Sequence, residues 1–196
     1  MATSVIKDLV VKNRSYRRFD ATVALDRSVL EGLVDLGRLA MSAANRQPLK
    51  YLIYCDPERN ARIFDCLGWA GYLKDWPGPG PGERPTGYIV MLMDTRIKDP
   101  MGFDGGLAAA NILLGAVEQG LGGCLIGNVK RDALRQILGI AERYELLLVI
   151  ALGKPVEQVV LETAGPGPEV DIKYWRDERQ VHHVPKRELR EIILNA

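Results

Sequence analysis

The chain has 196 residues, 47% of them hydrophobic and 26% charged, with Lys+Arg 26 against Asp+Glu 25 and a formal net charge of +1. Such a chain folds as about one domain, and its composition excludes a disordered, collagen-like or rod-like protein. It also excludes a global field strong enough to hold nucleic acid or an anionic membrane.

The N-terminal stretch MATSVIKDLVVKNRSYRRF is of mixed polarity, with no apolar region leading to a small-residue cleavage site, so a cytoplasmic location is expected. Val5, Ile6, Leu9 and Val10 recur at helical spacing and predict a first helix ending near Asn13. Asp26 can cap a second helix, with Val29, Leu30, Leu33, Val34, Leu36 and Ala40 as its core face. The polar run SAANRQP, closed by Pro48, reads as a loop. A strand is predicted from Tyr51 to Cys55, and Asp56-Pro57 starts a helix carrying Ile63, Phe64 and Leu67. Residues 77 to 87, PGPGPGERPTG, predict a surface loop, because proline removes donors and glycine loosens the chain. Tyr88 to Met93 reads as a strand buried on both faces.

Residues 104 to 119, DGGLAAANILLGAVEQ, predict a helix apolar nearly all round and lined with small residues. In a chain of this size, a helix buried on all sides points to a subunit interface. A glycine turn with a short strand follows (GLGGCLIG), then an amphipathic helix from Lys130 to Leu138 stopped by Gly139, then a strand from Leu146 to Leu152. From Lys154 onward the chain reads as irregular, with one closing helix at about 186 to 194. Helices and strands alternate without repeats or a clean linker. This predicts a single domain over 1–196, α+β or α/β, whose C-terminal extension (about 154–196) lies against a partner subunit. No run of about 18 apolar residues predicts a membrane span.

The chemistry-bearing candidates are few. Arg14, Ser15, Arg17 and Arg18 gather three guanidiniums and a hydroxyl within five residues. That is either a solvated basic turn or a site for one small phosphate-bearing ligand. Ser42, Asn45, Arg46 and Gln47 are either ordinary loop residues or hydrogen-bonding partners for a planar heterocycle. GLGGCLIG fails as a dinucleotide fingerprint because its helix precedes the turn, but bare backbone there can admit a flat ring. His182 and His183 are the only histidines; adjacent on an extended chain, they point to opposite faces and complete no metal site. Cys55, Cys66 and Cys124 show no CxxC spacing and read as reduced core thiols. With no nucleophile–base pair in view, reactivity would have to come from a cofactor.

Taken in order, NRSYRRF at 13–19, SAANRQP at 42–48 and GLGGCLIGNV at 120–129 resemble the FMN-dependent nitroreductase family. The resemblance implies a three-layer α+β fold, with a central, mostly antiparallel sheet flanked by helices. It also implies an intertwined homodimer with a C-terminal extension and FMN at each of two interface sites. By the same resemblance, Arg14 and Ser15 would address the phosphate and ribityl groups, and Arg17 the N1/O2 edge of the flavin. Ser42, Ala43, Asn45 and Gln47 would arrive from the other subunit. Leu125, Ile126 and Gly127 would line the ring, the Gly127 N–H facing N5. The family's C-terminal phosphate cation would be His183, Lys186 or Arg187. Asn13 departs from the family's usual basic residue, and Leu49 from its usual Trp. The activity implied is ping-pong transfer of hydride or electrons from NAD(P)H to nitroaromatics, quinones or similar acceptors, without metal. The alternatives are a flavin carrier or sensor without turnover and a phosphate-ligand domain without flavin.

Overall fold

The computed structural model describes residues 4–97, 99 and 101–194. Its elements run α1 (Val5–Lys12), α2 (Arg27–Arg38), β1 (Leu49–Tyr54), α3 (Pro57–Phe64), β2 (Gly87–Asp94), α4 (Asp104–Glu118), β3 (Gly122–Ile126), α5 (Arg131–Leu138) and β4 (Tyr144–Gly153). The C-terminal part adds β5 (Val159–Thr163), β6 (Trp175–Arg176), β7 (His182–Lys186) and α6 (Leu189–Ile192).

Four strands form an antiparallel sheet in the order β1-β2-β4-β3. Successive side chains of a strand point to opposite faces, so the apolar run of β2 feeds two cores at once. Tyr88, Val90 and Leu92 join Ile63 of α3 and Leu134 of α5 on one face. Ile89 and Met91 join Leu30 and Leu33 of α2 and Ile112 of α4 on the other. Helices therefore cover both faces, and the expected three-layer α+β architecture is present. Between α2 and α4 leucine side chains fill the space over a glycine: a Cβ on Gly115 would sit 2.2 Å from Leu36 Cδ1. Any larger residue there requires the Leu36 side chain to move.

Several expectations need correction. The first strand begins at Leu49 rather than Tyr51, because Leu49 pairs with Met93 across the ladder. Leu67 lies beyond the end of α3, in a bridge to Val129. The Pro/Gly run is not a free surface loop. Pro79 and Pro85 are buried, Gly78 packs on the Trp69 ring, and Pro81–Glu83 makes a 3-10 turn. Within one chain α4 is buried on one side only: Ala108, Ile112 and Ala116 face the core while Gly106, Leu107 and Ala110 stay exposed.

The tail is not irregular either. β5, β7 and β6 form a second sheet, with β5 and β7 parallel, and the closing helix is short, Leu189–Ile192. The start of this extension pairs with residues 18–20 of its own chain. The Asp20 amide donates to Lys154 O at 2.8 Å, the Val156 amide to Arg18 O at 3.1 Å, and Phe19 bridges Pro155.

Candidate functional site

Residues 14–16 meet the outer edge of β3 at its start, and residues 18–20 continue onto the stretch that follows β4. Ser15 forms a parallel bridge with Gly123, and the Tyr16 amide donates to Gly123 O at 3.0 Å. A Cβ on Gly123 would come 2.7 Å from Ala151 O, so only glycine admits this packing. Alternation then sends neighbouring side chains apart. Arg18 turns to the Pro81–Glu83 turn and binds both Glu83 oxygens, at 2.8 and 2.5 Å, a fork that pulls the Glu83 carboxyl below its ordinary range.

Arg17 turns the other way and is only 8% exposed. Its Nη1 donates to Ser15 O and reaches His182 Nε2, both at 3.2 Å, and its guanidinium lies 4.7 Å from the Tyr174 ring centre. No hydrogen bond from Arg17 Nε or Nη2 is made within the described residues. Glu157, fully buried, anchors the corner. It accepts from the Arg17 and Arg18 amides and from Arg176 Nη2 at 3.2 Å. Arg14 Nη2 is spent on Val10 O at 2.8 Å, while its Nε is buried without a partner, and burial lowers its pKa.

The end of β3 completes this region. Gly68 N donates to Asn128 O and Lys130 N to Cys66 O, both at 2.8 Å, so the turn after α3 backs onto the residues following β3. Between them Leu125 is exposed, Ile126 is buried, and Gly127 has open space where a Cβ would stand. The structure thus brings the segment of Arg14, Ser15 and Arg17 to Gly123 at the start of β3, the strand that ends in Leu125 and Ile126 and that Gly127 follows. The aromatic series Tyr72, Tyr174, His182, with ring centres 4.9 and 5.2 Å apart, ties this corner to the turn after α3.

The SAANRQP segment lies elsewhere. Asp104, buried at the start of α4, accepts from Ser42 Oγ at 2.5 Å and from the Ala43 amide at 3.0 Å. Ser42 Oγ in turn accepts from the Gln47 amide at 2.8 Å, and Gln47 Nε2 donates to Asn45 Oδ1 at 3.1 Å. Ala44, Asn45 and Gln47 all have φ near +50° (51°, 52° and 52°), a shape the Asp104 clamp holds. Beside the loop, Ser42, Gln47, Tyr51 and Asp104 help line a cavity of about 410 Å³. Within it, burial followed by the Asp104 charge pushes the unpartnered Tyr51 hydroxyl up to about 12. This loop leads into β1, at the opposite edge of the sheet from β3. Four strand spacings, about 19 Å, separate it from the arginines of the same chain, which lie outside β3.

Of the C-terminal candidates, neither His183 nor Lys186 meets the arginine motif. His183 stacks on Trp175 at 4.1 Å and pairs with Glu162 at 2.5 Å and Asp177 at 3.5 Å. Lys186 is exposed at the far end of β7, about 13 Å along the strand from His182. Arg187 donates to Gly167 O at 2.7 Å and to Pro168 O. The histidine at Arg17 is His182, and the opposite-face rule for adjacent residues could have flagged it. Glu157 and Asp104 carried no sequence signal. Among the described residues no three His, Cys, Asp or Glu side chains gather as a metal site, and no helix is long and apolar enough to cross a membrane.

His182 is 1% exposed, and burial, then the Arg17, Arg176 and His183 charges, push its pKa to about 4. The folded state therefore prefers the neutral ring, which suits acceptance from Arg17. The stability it contributes is complete above its ordinary 6.5 and is lost as pH falls toward 4, by about 3 kcal/mol. Thermal unfolding at pH 7.5 and 4.5 should show His182→Gln, which keeps an acceptor for Arg17, losing less stability on acidification than the parent.

A model of the nitroreductase family matches residues 102–154, from the start of α4 through β4. An NADPH-flavin oxidoreductase of Vibrio harveyi is 24% identical over 165 residues, covering 76% of this chain and 65% of that protein. Among solved structures, an FMN-dependent nitroreductase of Clostridium difficile superposes with a TM-score of 0.63 at 23% identity, covering 76% of this chain and 87% of that one. A Desulfovibrio desulfuricans protein solved in complex with FMN reaches 0.72 at 19% identity, covering 100% and 98%. The chain's nitroreductase likeness is borne out, the family model covering the GLGGCLIGNV motif, and so is the α+β fold with its mostly antiparallel sheet.

Proposed function

We propose that this chain, which has the nitroreductase fold, is an FMN-dependent oxidoreductase. It passes hydride or electrons from NADH or NADPH to nitroaromatic, quinone or similar electron-poor acceptors by a ping-pong mechanism, as a homodimer with FMN in each of two seams. What supports this best is the placement of the Arg14, Ser15 and Arg17 segment against β3, the strand that Gly127 follows, with guanidinium nitrogens left uncommitted. An orphaned Arg14 Nε and open space over Gly127 fit a phosphate-bearing flat ligand.

FMN, when bound, supplies the hydride-accepting and hydride-donating centre, which removes the need for a side-chain nucleophile or base. In this reading Arg14 and Ser15 hold the phosphate and ribityl groups. Arg17, braced by neutral His182 and by Tyr174, places a fixed positive charge in a partly dry corner, where electrostatic interactions are stronger than in water. The Gly127 amide is the candidate donor to the ring, beside Leu125 and Ile126. Ser42, Ala43, Asn45 and Gln47 come from the partner chain, which agrees with their place on the opposite edge of their own sheet. Apolar surface for that pairing is available: Phe103 just before α4, Leu107 on its outer side, and Val5, Ile6 and Val10 on α1 are all exposed.

The experiment is an anaerobic spectral titration. The purified protein should be yellow, bleach on adding NADH or NADPH, and recover its colour with a nitroaromatic or a quinone. A flavin that neither donor bleaches would make the chain a carrier or sensor. A protein that stays colourless after incubation with FMN would overturn the reading.

A further inference from the structure

The start of α3, the Pro81–Glu83 turn and the first residues of β2 enclose a second cavity, of about 270 Å³. It shares no lining residue with the arginine motif, the SAANRQP loop or the end of β3. Much of its wall is low-relief and apolar: Ala21, Ala61, Pro57, Pro81 and Pro85. Set into that wall are four polar side chains, each with a buried atom lacking any partner: Asn60 Oδ1, Arg84 Nε, Thr86 Oγ1 and Tyr88 Oη. Ten such atoms occur among the described residues, so four around one small space are concentrated, not scattered.

The side chains are built in. Tyr88 is fully buried and Asn60 is 8% exposed. The Asn60 amide is oriented by donation from Nδ2 to Thr86 O at 2.9 Å, which leaves Oδ1 as a pure acceptor. Arg84 lies over the Phe64 ring at 4.0 Å and makes no ion pair within the described residues. Burial raises the Tyr88 phenol well above its ordinary range, so it remains a donor at any working pH. An unmet buried group of this kind costs about 1–3 kcal/mol, and small polar cavities are filled accordingly, by water or by a ligand that reproduces its bonds.

The donors and acceptors fix the ligand's chemistry. Arg84, Tyr88 and Thr86 together offer a cation and two hydroxyls, which suits a carboxylate. Asn60 Oδ1 accepts only, so the ligand must also bring an O–H or N–H. Flat proline and alanine walls suit a ring, and the volume holds about one. We propose that this cavity binds a small aromatic hydroxy acid, with its carboxylate toward Arg84 and Tyr88 and its hydroxyl donating to Asn60. This site is separate from the proposed flavin site and does not depend on that reading. The Arg18–Glu83 fork and the Phe19 amide on Glu83 O link the cavity's turn to the arginine motif, so the test must tell the two places apart.

Calorimetric titration of the purified protein, as isolated, with 4-hydroxybenzoate tests it. One saturable site per chain is expected, weakened about tenfold or more by Arg84→Gln and about fivefold by Tyr88→Phe. Benzoate, lacking the hydroxyl, should bind more weakly than 4-hydroxybenzoate. Tyr88→Phe deletes an unpartnered hydroxyl and keeps the packed ring, so its melting temperature checks that the fold survives. The proposal is overturned by absence of heat at millimolar ligand, by equal affinity in parent and both variants, or by binding that shifts the visible flavin spectrum.

Discussion

Two preparations with little activity of their own, one carrying Arg14→Ala and the other Ser42→Ala with Asn45→Gly, should recover turnover when their subunits are exchanged. The expectation follows from placement. The arginine motif meets the start of β3 and the SAANRQP loop leads into β1, at opposite edges of one sheet. On the proposed reading, a site that needs both is assembled from two chains. In either variant homodimer both sites lack one half of their contacts. In the mixed dimer one site receives both defects and the other receives none. Random exchange makes about half the dimers mixed, with one intact site in each, so about a quarter of the parent turnover returns once the intact sites are filled with FMN. Glycine is the choice at position 45 because Asn45 has φ 52°, where alanine would add backbone strain to the loss of the amide. Ser42→Ala removes the hydroxyl that bridges Asp104 and the Gln47 amide, so the loop loses its shape as well as its donors. Mass spectrometry of differently tagged chains verifies exchange. Verified exchange without recovered turnover would place each site within a single chain.

How much of this was legible beforehand depended on whether the signal was local. The strands and helices of the main sheet were readable because Tyr88 to Met93 and residues 104 to 119 each carry their pattern within one segment. The arginine motif was readable as a concentration of charge in a nearly neutral chain. The second sheet was not, because its pairing joins Val159 to His182 and Thr163 to Lys186, and its strands carry no alternation of their own. The same non-locality hid Glu157, an isolated acid whose role exists only once the 14–19 segment folds against it. The Pro/Gly run misled for a related reason. Its composition describes a turn, while its burial comes from Trp69 and from the Arg18–Glu83 fork.

The Arg17 charge is the other place where one side chain should matter most. Arg17→Met keeps an unbranched apolar stem, which matters in a corner packed on Tyr174 and His182, and deletes the guanidinium. Reduction of a flavin gathers negative charge at its pyrimidine edge, and a fixed cation a few ångströms away favours that change. At an effective dielectric constant of about 20, a unit charge at 5–6 Å is worth about 3 kcal/mol. For a two-electron couple that corresponds to a midpoint potential lower by about 60 mV in the variant. Partial exposure of the site reduces this toward 30 mV, still within reach of a dye-equilibration titration. His182→Gln separates charge from position, because it leaves the guanidinium in place with an amide oxygen to accept from it. Its potential should move far less than that of Arg17→Met. An unchanged potential in Arg17→Met with flavin still bound would remove Arg17 from the redox edge and leave its partners, Glu157 and His182, as supports of the fold alone.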